Sequence, residues 1–523
     1  MGENGAIGKT ILRALPEGAA RGRCQGVAAT GERVYGTARE TRGNAQVRSR
    51  VSDLTFRRAR VAGSLAISLV TAGCGSLFGP AAPPQGQIGH VTGFLGAVVA
   101  DEPRAATIGR QVLSQGGNAA DAAVAVGMAL AVTLPSRAGL GGGGACLAFA
   151  AGKNSVNGGT PDAILFTPTA PAQPPGNADR PAALPMLPRG LYLLHARYGT
   201  GEFGRLVAPA EQLARLGTPA SRALVEDLRL VSGPLFADPQ ARAVFSSNGT
   251  PLEVGQTLQQ PALAATLAEI RVEGVGDFYQ GTLAQRIVQG SPLAGGPLSL
   301  ADLRAALPQR AAAITLPYRN DQVAFLPPPA DGGLGAAAAF LVLQQSPQAV
   351  DQAGARALAV AAQWRAVGGD PRALLTASLP PASMPALPAS TTFLTLDQKG
   401  NAVACAVTMD NLFGTGRIVS GMGFLLAASP RNVPPPLLSA ALAWNPPIRA
   451  FRAEVGGSGQ DGAALAAAVA MVNTLRTGQA LPVPVPEPGR ANVIGCSRYL
   501  PDESATCVWA GDPRGFGLAT GGT

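Results

Sequence analysis

The reading turns on residues 389–416, ASTTFLTLDQKGNAVACAVTMDNLFGTG. A linker rich in Pro and Ala ends in three consecutive hydroxyl residues, Ser390, Thr391 and Thr392. An apolar-rich segment runs to Asp397, followed by Lys399-Gly400-Asn401 and a second run through Val403 and Val407. Turn chemistry between two such runs predicts a β-hairpin. A hydroxyl residue at the head of a strand, just after a stretch that can be cut, suits an N-terminal nucleophile. Cleaving the bond before it puts a hydroxyl and a free α-amine on one residue. That amine, with a pKa of about 7.7–8.0, serves as general base without any histidine. The same residues also suit a surface loop entering an ordinary strand.

Upstream of the hairpin, residues 372–389 lack periodicity and predict a mobile linker. A helix is expected over 354–367, ended by Gly368-Gly369-Asp370-Pro371. Pro327–Gly333 (PPPADGG) reads as a turn between strands in 311–326 and another Ala-rich helix. Residues 189–310 are mainly helical, with Leu263, Leu267 and Ile270 at helical spacing. Residues 153–188 read as a Pro/Gly/Asn-rich excursion. A short strand ending at Ala100 leads into Asp101-Glu102-Pro103 and a helix. Asn118 then caps an almost continuous apolar run to Val132, the pattern of a helix buried on all sides. The glycines at 139–144 (GLGGGG) satisfy G-x-G-x-x-G, but a helix precedes them and a strand follows. That order is wrong for dinucleotide binding, and close backbone packing explains the glycines better. Downstream come a strand at 423–428, a helix near 463–476 and terminal strands. Helices bunched between groups of strands imply layered α+β or α/β packing.

Composition bounds the function. An apolar share of 46% supports a sizeable core. Residues 1–60 hold twelve Lys/Arg against five Asp/Glu, a surplus of seven within the net +9, so the fold itself is nearly neutral. Nucleic acid is not an expected partner. Residues 57–74 (RRARVAGSLAISLVTAGC) pair three arginines with about a dozen small and apolar residues, an export signal rather than a membrane span. Its Ala72-Gly73-Cys74 ending resembles a lipoprotein box, with lipidation at Cys74. The expected organisation is a leader at 1–50, either disordered or upstream sequence ahead of a true start at Val51. A signal at 51–74 and a tether at 75–88 follow. Beyond lies one intertwined domain of two regions, 89–389 and 390–523.

Cys146 and Cys405 lie in apolar runs and read as buried thiols, whereas Cys496 and Cys507 flank a turn-rich segment and can pair in an oxidising compartment. With two histidines, His90 and His195, and no metal-type cysteine spacing, neither a histidine triad nor a metal centre is expected.

On these residues the chain resembles the γ-glutamyltranspeptidase family. GGNAADAAVAVGMALAVTLPSRAGLGGGG (116–144) looks like the large-subunit signature, and DQKGNAVACAVTMDNLFGTG (397–416) like the start of the small subunit. FYQG (278–281), PPPADGG (327–333), GGDP (368–371) and the terminal DPRG fall in the family's order. The resemblance implies an α+β fold, the four-layer αββα sandwich of N-terminal-nucleophile hydrolases. It also implies a self-processing γ-glutamyl hydrolase or transferase whose two fragments stay associated. A small γ-glutamyl amide would be the substrate, with no cofactor. The expected location is the periplasm or envelope, with membrane contact only through the signal or lipid.

Counting back from Asp397 without gaps puts the nucleophile at Ser390 and a second hydroxyl at Thr391; a one-residue deletion makes Thr391 the nucleophile. Thr408 matches the threonine that hydrogen-bonds the nucleophile, and Gly456 and Gly457 match the oxyanion-hole pair. Asp410 stands where the family has Asn, with Asn411 beside it, and Ser439 matches one of two adjacent serines, with Leu438 in place of the other. The glutamate clamp departs from the family. Thr167 occupies the position of the carboxylate-gripping Arg, and the amine-binding positions fall near Ser429 and Asn432. Each lost charge-assisted bond costs roughly 1.5–3 kcal/mol. Alternatives are therefore an amidase or acylase acting on a non-glutamyl group, or a catalytically silent envelope lipoprotein. Arg137, Arg417 and Arg431 are the possible replacements for the missing Arg, although each reads more simply as a solvated surface charge.

Overall fold

The computed structural model describes residues 93–152, 155–172, 176–480 and 485–522. The expected leader, export signal, Cys74 and tether lie outside the described residues. Strands of the two large sheets are labelled here in chain order: β1 Gly96–Ala100, β2 Gly143–Phe149, β3 Asp162–Phe166, β4 Gln309–Ala312, β5 Ile314–Tyr318, β6 Asp321–Phe325 and β7 Ser390–Asp397. There follow β8 Ala402–Thr408, β9 Ser439–Asn445, β10 Ala450–Ser458, β11 Arg490–Leu500, β12 Cys507–Ala510 and β13 Leu518–Gly521.

The hairpin is β7–β8, in register from Ser390 opposite Thr408 to Leu396 opposite Ala402. Its turn closes on Asp397, whose Oδ1 accepts from the backbone N–H of Lys399 (2.8 Å) and of Asn401 (3.1 Å). Asp397 Oδ2 also accepts from Ala119 N–H at 3.1 Å, which docks the turn on the first turn of the helix Ala119–Thr133. Asn118 and Asp121 form a capping box there, and every residue of that helix is buried. The hairpin sits in the middle of a seven-stranded sheet of order β13-β1-β7-β8-β2-β3-β4. A six-stranded sheet has the order β12-β11-β10-β9-β6-β5, and the pairings in both are antiparallel.

Strand alternation divides the core. Phe393, Cys405 and Val407 pack with the helix Ala119–Thr133. Leu394, Leu396 and Ala404 face the other way and pack with Leu438, Ala440, Leu442 and Ile494 of the second sheet. Ala441, Ala443, Ala453 and Val455, on that sheet's far side, pack with the helices Asp331–Gln345, Val350–Val367 and Ala463–Thr477. The glycine run allows close backbone approach: a Cβ at Gly141 would lie 2.1 Å from Leu425 O, and one at Gly144 would lie 2.3 Å from Ala406 O. The fold is α+β. Among the described residues no helix is long and apolar enough to cross a membrane.

Several expectations are corrected. Cys146 and Cys405 are not free thiols but a disulfide, because β2–β8 pairing sets them directly opposite with Cα atoms 4.1 Å apart. Two separate apolar runs carry no information about that register. Cys496 and Cys507, opposed across β11–β12, are also bonded. Residues 423–428 make isolated bridges instead of a strand, through Leu425, Leu426 and Ala428. The excursion at 153–188 contains β3, and the linker begins with a helix, Pro371–Thr376.

Candidate active site

Ser390 is the first residue of β7 and has the same parity as Leu394 and Leu396, so its side chain faces the space between the sheets. It is 1% exposed, its Oγ has no hydrogen-bond partner, and it lines a cavity of about 580 Å³. Across the hairpin, Thr408 Oγ donates to the carbonyl oxygen of Ala389 at 3.1 Å, the carbonyl of the bond before Ser390. The Asp410 N–H in turn donates to Thr408 Oγ at 3.0 Å. One hydroxyl therefore bridges the Ala389–Ser390 bond and the segment after β8.

Thr391 points the other way. Its Oγ donates to Asp101 Oδ2 at 2.8 Å, and Thr392 N–H donates to the same oxygen at 3.2 Å. Asn492 Nδ2 donates to Asp101 Oδ1 (2.8 Å) and to Thr392 Oγ (2.9 Å). Asp101 and Asn492 thus hold the head of β7 from two other strands' ends. Sequence reasoning assigned neither a role; the only hint was the Asp-Glu-Pro at a strand's end, where Glu102 caps the next helix.

The Ser390 cavity carries balanced charge. Arg137 makes a bidentate pair with the buried Asp227 at 2.7 and 2.8 Å, and Ser136 Oγ donates to that carboxylate at 2.6 Å. Arg514 pairs with Asp512 at 2.6 Å, and Arg490 lies 3.7 Å from Glu487. Arg137 is therefore no solvated surface charge; Arg417 is paired with Asp179 at 2.6 Å and Arg431 is exposed.

A second cavity, of about 260 Å³, is lined by Thr167, Thr169, Asp410, Pro435, Pro436 and Leu438 among others. Asp410 adopts a left-handed φ of 53° and is 1% exposed, and neither carboxylate oxygen has a hydrogen-bond partner. Burial pushes its carboxyl up to about 8, against a smaller opposing pull from the Arg365 guanidinium.

These features can be set beside known proteins. The gamma-glutamyltranspeptidase family model matches residues 105–371. The glutathione hydrolase proenzyme of Escherichia coli K12 is 30% identical over 431 residues, 71% of this chain and 73% of that one. The chain belongs to the γ-glutamyltranspeptidase family. Glutathione hydrolase 3 of Arabidopsis thaliana is 34% identical over 251 residues, 46% of this chain but 39% of that protein. Among solved structures, a cephalosporin acylase from Bacillus halodurans shares the fold with a TM-score of 0.67 at 20% identity, over 85% of this chain and 99% of its own.

Within this γ-glutamyltranspeptidase-family fold the expected site residues divide. Ser390 and Thr408 meet at the head of the hairpin, and Thr167 and Asp410 meet in the second cavity. Thr408 contacts the Ala389 carbonyl rather than Ser390 Oγ. Gly456 and Gly457 lie inside β10, paired on both sides, and do not line the Ser390 cavity. The residues that do are Gly459 and Gln460, just past the strand, both with positive φ (97° and 53°). The sequence reads as Gly-Gly-Ser-Gly without marking where the strand stops. Asn411 and Asn432 are exposed, and neither lines the second cavity. Ser439 is buried and donates to Leu437 O at 3.1 Å, turned toward Gly332 of the helix Asp331–Gln345.

Proposed function

We propose that this chain is a self-processing γ-glutamyl hydrolase/transferase in which Ser390 is the nucleophile. The observation that carries the reading is the Thr408 hydroxyl bound to Ala389 O beside an unpartnered Ser390 Oγ. Attack of Ser390 Oγ on the Ala389 carbonyl carbon forms a C–O bond. The C–N bond breaks, and the hydroxyl proton goes to the departing nitrogen. Thr408 supports the negative charge that builds on the carbonyl oxygen. Water then hydrolyses the ester, leaving a carboxylate on Ala389 and a free α-amine on Ser390. In turnover that amine takes the Oγ proton as Oγ adds to the γ-carbonyl of the substrate; the γ-amide C–N bond breaks, the proton passes to the departing amine, and water or an acceptor amine then takes the acyl group and frees Oγ. Backbone amides at Gly459 and Gln460 are our candidates for the substrate oxyanion donors, in place of Gly456 and Gly457.

The division of the core among three clusters supports the four-layer αββα arrangement of N-terminal-nucleophile hydrolases. Cleavage would define fragments 89–389 and 390–523. The small fragment's hairpin lies between β1 and β2 of the large one, and the Cys146–Cys405 disulfide spans the cut, so the halves remain joined. Two disulfides favour an oxidising compartment. They support export, for which residues 51–74 are our candidate signal and Cys74 our candidate lipid site. The test is an intact-mass spectrum with N-terminal sequencing of the smaller fragment. A first residue of Ser390 supports the reading, and an uncut chain or another start overturns it.

A further inference from the structure

Among the described residues that line the second cavity, one is charged, Asp410, and none is Lys, Arg or His. Thr167 and Leu438 supply part of the wall, with five prolines. The guanidinium that acts on Asp410 across space, that of Arg365, is bound to Asp331 through two nitrogens, with Nη2 to Oδ1 at 2.9 Å. Among the described residues that line the cavity, none is a cation that could receive a substrate carboxylate. The Asp410 oxygens are the opposite case: buried, lining the cavity, and without a donor. A buried acceptor left unpaired is costly, and a ligand bringing an ammonium removes that cost.

The cavity adjoins the reacting bond. Thr408 Oγ is shared between Ala389 O (3.1 Å) and Asp410 N (3.0 Å), so Asp410 is tied to the Ala389–Ser390 bond, and we place the far end of an acyl chain whose carbonyl replaces that of Ala389 against it. A γ-glutamyl group has two substituents at that end, an α-amine and an α-carboxylate. Here one finds an anionic partner, and the other finds an anion and apolar rings.

We propose that the acyl donor is a γ-glutamyl amide with a free α-amine and a blocked, uncharged α-carboxyl, such as an α-carboxamide, with the ammonium seated on Asp410. The proposal rests on the reading of Ser390 as the acyl-accepting nucleophile. A carboxyl held near 8 in the empty site ionises readily when an ammonium arrives.

Three p-nitroanilides of the γ-carboxyl test it on the wild-type processed protein: γ-glutamyl, its α-carboxamide, and the N-acetylated α-carboxamide. The expected kcat/KM for the carboxamide is at least tenfold above that for γ-glutamyl, and N-acetylation lowers it at least tenfold. Asp410→Asn should shrink the N-acetylation penalty to about threefold or less, while the chain still cuts itself. Equal or better turnover of the free-carboxylate donor overturns the proposal, as does indifference to N-acetylation or no turnover of any of the three by a cut chain. Mass spectrometry keeps the layers separate. A chain that never cuts overturns the nucleophile reading and this one with it, whereas a cut chain that prefers γ-glutamyl overturns this one alone.

Discussion

The two cavities on either side of Thr408 handle charge in opposite ways. Around Ser390 each guanidinium has a carboxylate: Arg137 with Asp227, Arg514 with Asp512, Arg490 near Glu487. Around Asp410 a carboxyl is buried with nothing to pair with. The guanidiniums of the first cavity are matched by carboxylates before any substrate arrives, which leaves Ser390 Oγ and Arg490 Nε as the buried polar atoms there without a partner among the described residues. The second is incomplete until something binds. On the proposed reading the acyl-transfer parts are kept, and recognition of the glutamate head is rebuilt with the opposite charge logic.

The comparison breaks outright if the nucleophile is elsewhere. Ser390→Ala should leave one uninterrupted chain by intact mass, while Thr391→Ala should still cut, because Thr391 Oγ is committed to Asp101 on the other face. A Thr391→Ala chain that stays whole while Ser390→Ala cuts would reverse the assignment.

Next in size is the pH response of the empty second cavity. Asp410 has a folded pKa of about 8 against an ordinary 3.8, so the folded state binds the extra proton. Its effect is absent below about pH 4, and stability falls as pH rises from about 4 to 8. The loss is at most roughly 6 kcal/mol. Glu454, buried between the sheets without a partner and also raised, slopes the same way. The Asp410 share is therefore the difference between wild type and Asp410→Asn in Tm against pH. Parallel curves would show that the carboxyl has found a partner.

Thr408→Val keeps the shape and removes the donor to Ala389 O. Loss of one such donor should slow self-cleavage about 10²–10³-fold, followed by the rate of fragment appearance on a gel. An unchanged rate would mean that the carbonyl draws its support from elsewhere. The smallest expected effect sharpens the link between the halves. Fragments should co-migrate without reductant and separate with it, and Cys405→Ser should cost about 2–4 kcal/mol in a denaturant melt. Separation without reductant would remove the covalent tether from the account.

Legibility followed the range of the interactions. The hairpin was readable because turn residues and β-branched runs act within twenty residues, and Asp397 could anchor the count back to Ser390. The buried helix was readable because, past Asp121 in its first turn, its positions to Val132 are apolar or small, between a cap and a proline. Register between distant strands was not, and with it went the Cys146–Cys405 bond and the role of Asp101. Where β10 ends relative to Gly456 and Gly457 was not readable either, since side-chain identity does not report where a strand stops.

The sequence by itself determined the hairpin, the hydroxyl cluster at its head and the family, because each is a matter of residue type and local order. Only the tertiary structure decided which hydroxyl faces the reacting carbonyl, which arginines are already paired, and that Asp410 is buried alone. Those outcomes depend on strand parity and on which of many distant side chains come within about 3 Å, and electrostatic pairing is set by that distance and by the loss of water around it.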